Sequence, residues 1–569
     1  MIKMTNIFFQ GIGFMLVSCV PTQHHDFAAK IFHNRPYSPQ CRLYVSPNKK
    51  NNVAPNLRIT LILNLLRSDD WQHALEQSKQ FVGESATSAQ AHGVYALVLL
   101  RAGNFITASD EAQKALALDA QDYWALATSG WIQYLNNHTI AARKTLCRAT
   151  MIRPHEPDAW RLLLLTYDEL QRPRQIIDSF LKLAPKGYPY EGFANHIKDM
   201  MPFWTEFQKD TPFQRTEAGG ANIAQIVVPF EKDSGFISIA ALLGSKKVKL
   251  VYDTGAAILA LQSSVIEELK LQPIVRTTAH GADGTQEATV CKAQALSLGN
   301  CSFHSIPILS TSIPMELHTD GALGNQAFRG YIVDIDMQAQ TLTTSTSYSL
   351  VHGSNHCEIP FKYINGLIFL SCEIEGQSCW AMLDTGSQGS YMSEHVAKLL
   401  PKQAGVLQKI DIRTVGLGVS KTKPIYTQWE HPVTVNIATI TNSFSLNLIN
   451  AISNTSIDEQ FSKSFGFEVS IVLGMPFIEQ FSHIIINYRT KSLILVADVD
   501  PDKSPKPRPG GTWVYINGHW VWGPFGSTVK SGGDEITIPF PPKPGDNGPG
   551  TPPKPSAPKD PTPKVTPSK

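Results

Sequence analysis

Val248-Lys249-Leu250-Val251-Tyr252 runs into Asp253-Thr254-Gly255, and Trp380-Ala381-Met382-Leu383 runs into Asp384-Thr385-Gly386. These two stretches decide the fold. Each is an apolar, strand-like run that ends in the same acidic turn. Two carboxylates on matching turns can be brought face to face. At that range like charges do not both ionise, so the pair shares a proton and offers an acid and a base together. Gly255 and Gly386 let backbone approach a carboxylate where a Cβ would collide.

The surroundings repeat as well. A glycine turn precedes each triplet, Leu243-Gly244-Ser245 and Glu375-Gly376-Gln377. A glycine segment follows each, His280-Gly281-Ala282-Asp283-Gly284 and Val415-Gly416-Leu417-Gly418. The offsets from Asp to first glycine are similar, 281 − 253 = 28 and 416 − 384 = 32. Further on come Ala322-Leu323-Gly324-Asn325 and Val472-Leu473-Gly474-Met475. The β-rich runs Ile332-Val333-Asp334-Ile335 and Ile484-Ile485-Ile486-Asn487 close the two halves. The same order of motifs at an offset of 384 − 253 = 131 marks an internal duplication. Short β-rich runs separated by Gly, Pro and Asn from Ile223 to about residue 499 argue for an all-β region.

In this order of strand, triplet, glycine hairpin and apolar-apolar-Gly, the chain resembles the retropepsin-like aspartic proteases in a fused two-lobe form. The matching pieces are 253–256, 384–387, 323–328 and 473–477. The resemblance covers residues 222–499, with lobe 1 at 222–349 and lobe 2 at 350–499. It implies that Asp253 and Asp384 hold a water that attacks the peptide bond of a peptide or protein substrate. No covalent intermediate and no cofactor or metal are expected. It implies that Thr254 and Thr385 interlock through hydroxyl-to-backbone hydrogen bonds. It implies that Gly281, Gly284, Gly416 and Gly418 sit at flap tips, and that Leu323-Gly324 and Leu473-Gly474 support the triplets. The halves differ after the triplet. Ser387 can donate to the Asp384 carboxylate, whereas Ala256 cannot donate to Asp253. A donor to the ionised form lowers pKa, which makes Asp384 the expected base of a jointly titrating pair. The alternative is a scaffold protein whose protease-like domain does not cut; two intact triplets favour cutting.

The 569 residues are 42% hydrophobic, enough for several cores, and the net charge of +2 gives no electrostatic case for nucleic acid. Lys3 precedes an apolar run that leads into Leu16-Val17-Ser18-Cys19, which resembles a bacterial lipobox. The reading is a signal peptide at 1–18, acylation of Cys19, and an exported outer-membrane lipoprotein facing the periplasm. A plain secretory signal, or a membrane-anchored start, with an incidental Cys is the alternative. Residues 19–54 read as a tether in which Pro36, Pro39 and Pro47 resist helix.

Residues 55–190 are helical in pattern. Ala74, Ala108 and Ala142 recur at one spacing, 108 − 74 = 142 − 108 = 34. Ala115 and Ala149 share that period, and Ala96 and Gly130 fill one small-residue position. This resembles tetratricopeptide repeats, helix pairs stacked into a solenoid that binds a protein partner. A generic helical bundle is the alternative. Residues 191–221 read as a connector. The predicted architecture is therefore a helical solenoid, an all-β bilobal protease domain and a Pro-rich tail at 500–569, disordered beyond Pro539.

Within the tail, Trp513 to Trp522 alternates around Asn517-Gly518, a type I′ hairpin signal. Its Trp rings need a surface to cover them, the chain's own protease domain or, as the alternative, a glycan or cell wall. Seven cysteines remain besides Cys19. A two-residue turn at Glu375-Gly376 would set Cys372 opposite Cys379, a candidate disulfide in an exported chain. Cys291 and Cys301 flank a second hairpin with its turn near Gly299-Asn300 and form the other candidate pair.

Overall fold

A computed structural model of the chain describes residues 55–166 and 201–537 with gaps, the longest at 167–200, 411–425, 455–468 and 497–510. Cys19, the segments read as a signal peptide and a tether, and the stretch after 537 lie outside the described residues. The chain divides into two compact units, Met1–Ala497 and Asp498–Lys569.

The first unit opens with helices in pairs: α1 (Pro55–Arg67) and α2 (Trp71–Glu84), α3 (Ala89–Arg101) and α4 (Phe105–Leu118), α5 (Tyr123–Leu135) and α6 (Thr139–Ile152). First helices begin at positions 55, 89 and 123, and second helices at 71, 105 and 139, so both series keep the alanine spacing (89 − 55 = 105 − 71 = 34). Caps fix these starts. Asp70, Ser88, Asn104 and Asp122 each accept from the backbone N–H three residues on, satisfying a donor the helix leaves open. Close packing explains the small residues. A Cβ on Gly130 would lie 2.6 Å from Leu146 Cγ, and Ala96, Ala112, Ala115 and Ala125 form a compact cluster.

Two similar β lobes follow. In lobe 1 the strand Lys246–Tyr252 pairs with Phe236–Leu243 and runs parallel to Gly321–Leu323. In lobe 2 the strand Gln377–Leu383 pairs with Leu367–Ile374 and runs parallel to Ile471–Leu473. A six-stranded antiparallel sheet joins the lobes, in the order Gln225–Asp233, Thr341–Ser345, Ile332–Asp336, His483–Asn487, Ser492–Val496, His356–Ile364. The lobes meet at its centre, where Asp334 faces Ile485. The duplication does not keep one period. The offset from triplet Asp to the later Leu is 323 − 253 = 70 in lobe 1 and 473 − 384 = 89 in lobe 2, so lobe 2 carries the longer insertion between them.

Strand alternation sorts the apolar side chains. Leu250, Tyr252, Ala381 and Leu383 belong to one core running through both lobes. Val251 and Met382 point the other way and enter separate clusters. The Met382 cluster is shared with the helices: Leu99, Trp131, Tyr134 and Leu146 are buried with Trp380, Met382, Tyr391 and Val472. The inter-helix turns dock there. Gly103 and Asn137, one period apart, both have positive φ (79° and 61°), which glycine and asparagine tolerate. The Asn137 amide acts like a strand edge, donating to Phe361 O at 2.9 Å and accepting from Tyr363 N at 3.3 Å. The Phe105 ring lies 4.8 Å from that of Trp380. Lys362 donates to Asn136 Oδ1 at 2.5 Å, and its ammonium lies 5.1 Å from the centre of the Trp380 ring. Helices and lobe 2 thus share one core, although the sequence reads as separate segments.

The cysteine expectations divide. Cys372 does stand opposite Cys379. Cys291 and Cys301 do not meet: the turn lies at 299–300, so Leu298 faces Cys301 and Cys291 faces Ile308. The strand from Cys301 to Ile308 separates the two thiols by roughly 23 Å at a strand's ordinary rise. All six cysteines among the described residues are thiols, including the opposed pair. Burial pushes the Cys372 thiol well above the ordinary range. No helix among the described residues is long and apolar enough to cross a membrane.

In the second unit, Gly511–Ile516 pairs with His519–Pro524, Ile516 facing His519 across residues 517–518. A second hairpin pairs Thr528–Ser531 with Asp534–Thr537.

Candidate active site

Each triplet begins where its strand ends. Asp253 N donates to Leu323 O at 3.1 Å, and Asp384 N to Leu473 O at 2.9 Å, which extends each parallel pairing by one residue. The chain then turns back, with Ala256 N donating to Asp253 O and Ser387 N to Asp384 O, both at 3.2 Å. Each carboxylate accepts its own turn's N–H, from Gly255 at 2.8 Å and from Gly386 at 2.9 Å.

The two turns are locked together. Thr254 N donates to Thr385 Oγ1 and Thr385 N to Thr254 Oγ1, each at 2.9 Å. The hydroxyls pass their own protons onward, Thr254 to Leu383 O at 2.9 Å and Thr385 to Tyr252 O at 2.7 Å. All four bonds cross from one lobe to the other, and both threonines are fully buried. A Cβ on Gly255 would strike the Asp384 carboxylate, and one on Gly386 would strike that of Asp253. Each acid therefore lies against the opposite lobe's turn, and both aspartates are fully buried.

Behind the turns, Gly324 and Gly474 serve the same purpose. A Cβ on Gly324 would meet Ala256 O and the Ala257 carbonyl carbon, and one on Gly474 would meet the Ser387 and Gly389 carbonyl oxygens. Asn325 N and Met475 N then donate to Ala256 O (3.0 Å) and Ser387 O (2.8 Å). Leu323 and Leu473 are buried in the common core.

Ser387 departs from expectation. Its hydroxyl donates to Gly389 O at 2.9 Å. One hydroxyl has one proton, so it is spent on the turn, and the argument that made Asp384 the base lapses. Gly281 and Gly284 face each other as the last pair of the hairpin formed by Pro273–Gly281 and Gly284–Leu298, beside its tip. Gly416 and Gly418 lie outside the described residues.

The structure adds three residues that sequence reasoning missed. Asn325 is fully buried, and its Nδ2 donates to Thr254 O and to Gly366 O, both at 2.7 Å. Its Oδ1 accepts from the Tyr488 hydroxyl, which lies 3.2 Å from that of Tyr252. Burial pushes both phenols above their ordinary range, so they remain neutral hydrogen-bonding groups. This network fastens lobe 1 to lobe 2 beneath the turns. Lobe 2 has Leu383 and Met475 where lobe 1 has Tyr252 and Asn325. The available signal was the polar Asn325 after Leu323-Gly324, where Met475 follows Leu473-Gly474. Among the described residues no group of three His, Cys, Asp or Glu is arranged to hold a metal.

A family model described as aspartyl protease matches residues 239–327, from the hairpin before the first triplet to the segment after Gly324. The β-rich region and this match together support an aspartyl protease domain. No curated protein matches the chain.

Proposed function

We propose that the chain is an aspartic endopeptidase in which Asp253 and Asp384 jointly activate one water. The observation that carries this reading is reciprocity: each carboxylate rests on the other lobe's glycine, while the threonines lock the turns. One carboxylate, ionised, takes a proton from the water as its oxygen attacks the scissile carbonyl. The other, protonated, donates to the oxygen of that carbonyl. Proton transfer to the departing nitrogen then breaks the C–N bond, leaving an acid, an amine and the pair ready again. The turn N–H groups of Gly255 and Gly386 hold the carboxylates in place and do not reorganise during the step. The hairpin ending at Gly281 and Gly284 would close over an extended substrate, bonding its backbone and excluding water.

Peptide-library cleavage by the full chain across pH 3–8, with Asp384→Asn as control, tests this. Cleavage that the variant lacks is expected. A folded chain that binds peptides but cuts none would leave the scaffold reading.

We further propose that the helices form a tetratricopeptide-like solenoid that holds a protein partner or substrate near the cleft, raising its local concentration. Export and lipidation at Cys19, with the protein on the periplasmic side of an outer membrane, complete the proposal. Cys19→Ser should release soluble or unprocessed chain, and unchanged membrane fractionation would refute it.

A further inference from the structure

Between the helices and lobe 1 lies a segment used neither by the solenoid nor by the proposed chemistry. Residues 201–206 form a helical turn, with Phe207 N donating to Phe203 O at 3.1 Å. The rings of Phe203 and Phe207 lie 4.9 Å apart and are buried. Their cluster includes Val251, which lies two residues before Asp253 on the same side of the strand, and Ala322, its parallel neighbour. It also includes Ala256 beyond the triplet and Ala279 and Ala288 on the glycine-tipped hairpin. The aromatic pair thus belongs to one apolar body with the Asp253-bearing face and the hairpin. Alanines at 256, 279, 288 and 322 stand among larger side chains such as Ile258 and Leu309 in this body, and the two rings pack into it.

The same segment reaches lobe 2. Met201 packs on the cluster of Met382 and Val472, which are placed in lobe 2 as Val251 and Ala322 are in lobe 1. Trp204 packs against both clusters. This one short segment therefore bridges the two faces from which the aspartates project. Lys292, on the hairpin's return strand, fastens the segment: its Nζ lies 3.0 Å from Glu206, 3.6 Å from Asp210 and 5.4 Å from the centre of the Phe207 ring. A helical turn rises only about 1.5 Å per residue and is not extended. It offers the cleft no extended strand to hydrolyse, only side chains.

We propose that residues 201–207 are a built-in occupant of the substrate cleft, and that the chain admits peptides only when this segment withdraws. This rests on the aspartic-protease reading. A cleft that is mostly occupied binds in proportion to the fraction of chains in which it is open.

The test uses the full chain, as wild type, F203A/F207A and W204A. One probe is a labelled octapeptide whose central bond is a non-hydrolysable hydroxyethylene isostere between two phenylalanines. The other is its cleavable counterpart. Both variants should bind the isostere about tenfold more tightly than wild type, or better, and cleave faster. A peptide of residues 199–210 added in trans should compete, and the same peptide with alanine at positions 203 and 207 should not. Tighter binding without cleavage keeps the occupant and removes the protease reading. Equal cleavage and equal binding by wild type and folded variants overturns the occupant alone. Should F203A/F207A fail to fold, W204A decides the matter, since Trp204 is only half-buried.

Discussion

The two lobes place their triplets alike but cover the adjoining face differently. In lobe 1 the Val251 face lies under the lobe's own hairpin and the aromatic turn of 201–207. In lobe 2 the Met382 face lies under the helices, with Leu99, Trp131 and Tyr134 in the same core. Geometry at the acids is therefore duplicated, while what surrounds it is not. The lesson is that the helices are part of lobe 2's fold.

The largest test of that difference is removal of residues 55–190. A module that only recruits could be cut away without cost. With a shared core, the deletion should strip hydrogen-exchange protection from Gln377–Leu383 and leave Lys246–Tyr252 much better protected. Equal protection in both strands would break the comparison. Next in size is Asn325→Ala. It removes two donated bonds and one accepted bond, of which those with Gly366 and Tyr488 cross between the lobes, and loss of about 2–4 kcal/mol is expected by denaturant unfolding. Met475→Ala, at the matching place in lobe 2, removes no such network and should act by lost packing alone.

Asn137→Ala sharpens the junction itself. It leaves the edge at Phe361 and Tyr363 without its amide, and loss of about 1–2 kcal/mol is expected, read as earlier thermal release of the helices. The smallest effect is that of pH. Burial pulls the Lys362 ammonium down to about 8 from an ordinary 10.5. Between those values the unfolded chain binds more protons than the folded one, so this group's contribution to stability rises as pH climbs from about 8 to 10.5. Lys362→Met should flatten that slope in melting experiments. An unchanged slope would show that Lys362 is not the group responsible.

What was legible in the sequence was what short-range pattern dictates. The triplets, their glycines and the order of flanking runs are local, and they mark matching positions in both lobes. The helix starts follow the alanine spacing because capping and small-residue packing act within one repeat. The Cys372 register follows from a two-residue turn. What was not legible depends on contacts far apart in the chain. Tyr488 meets Asn325 from the far end of the other lobe, and no periodicity signals that. The helices cover lobe 2 through side chains whose apolar character is equally compatible with an isolated solenoid. Cys291 and Cys301 do not pair because two cysteines flanking a turn need not be equidistant from it. Ser387 serves its own turn because a hydroxyl beside a carboxylate in sequence can rotate to a nearer carbonyl.

The central claim is that each lobe supplies one acid to a single proton-sharing pair. Its most direct test is the turnover of one extended peptide by Asp253→Asn, Asp384→Asn and the double variant, each checked for native folding. Each single change should lower turnover by about a thousandfold or more, and the double variant should be no worse than either, since members of one catalytic unit are not additive. Near wild-type turnover in either single variant, or losses that multiply in the double one, would contradict it.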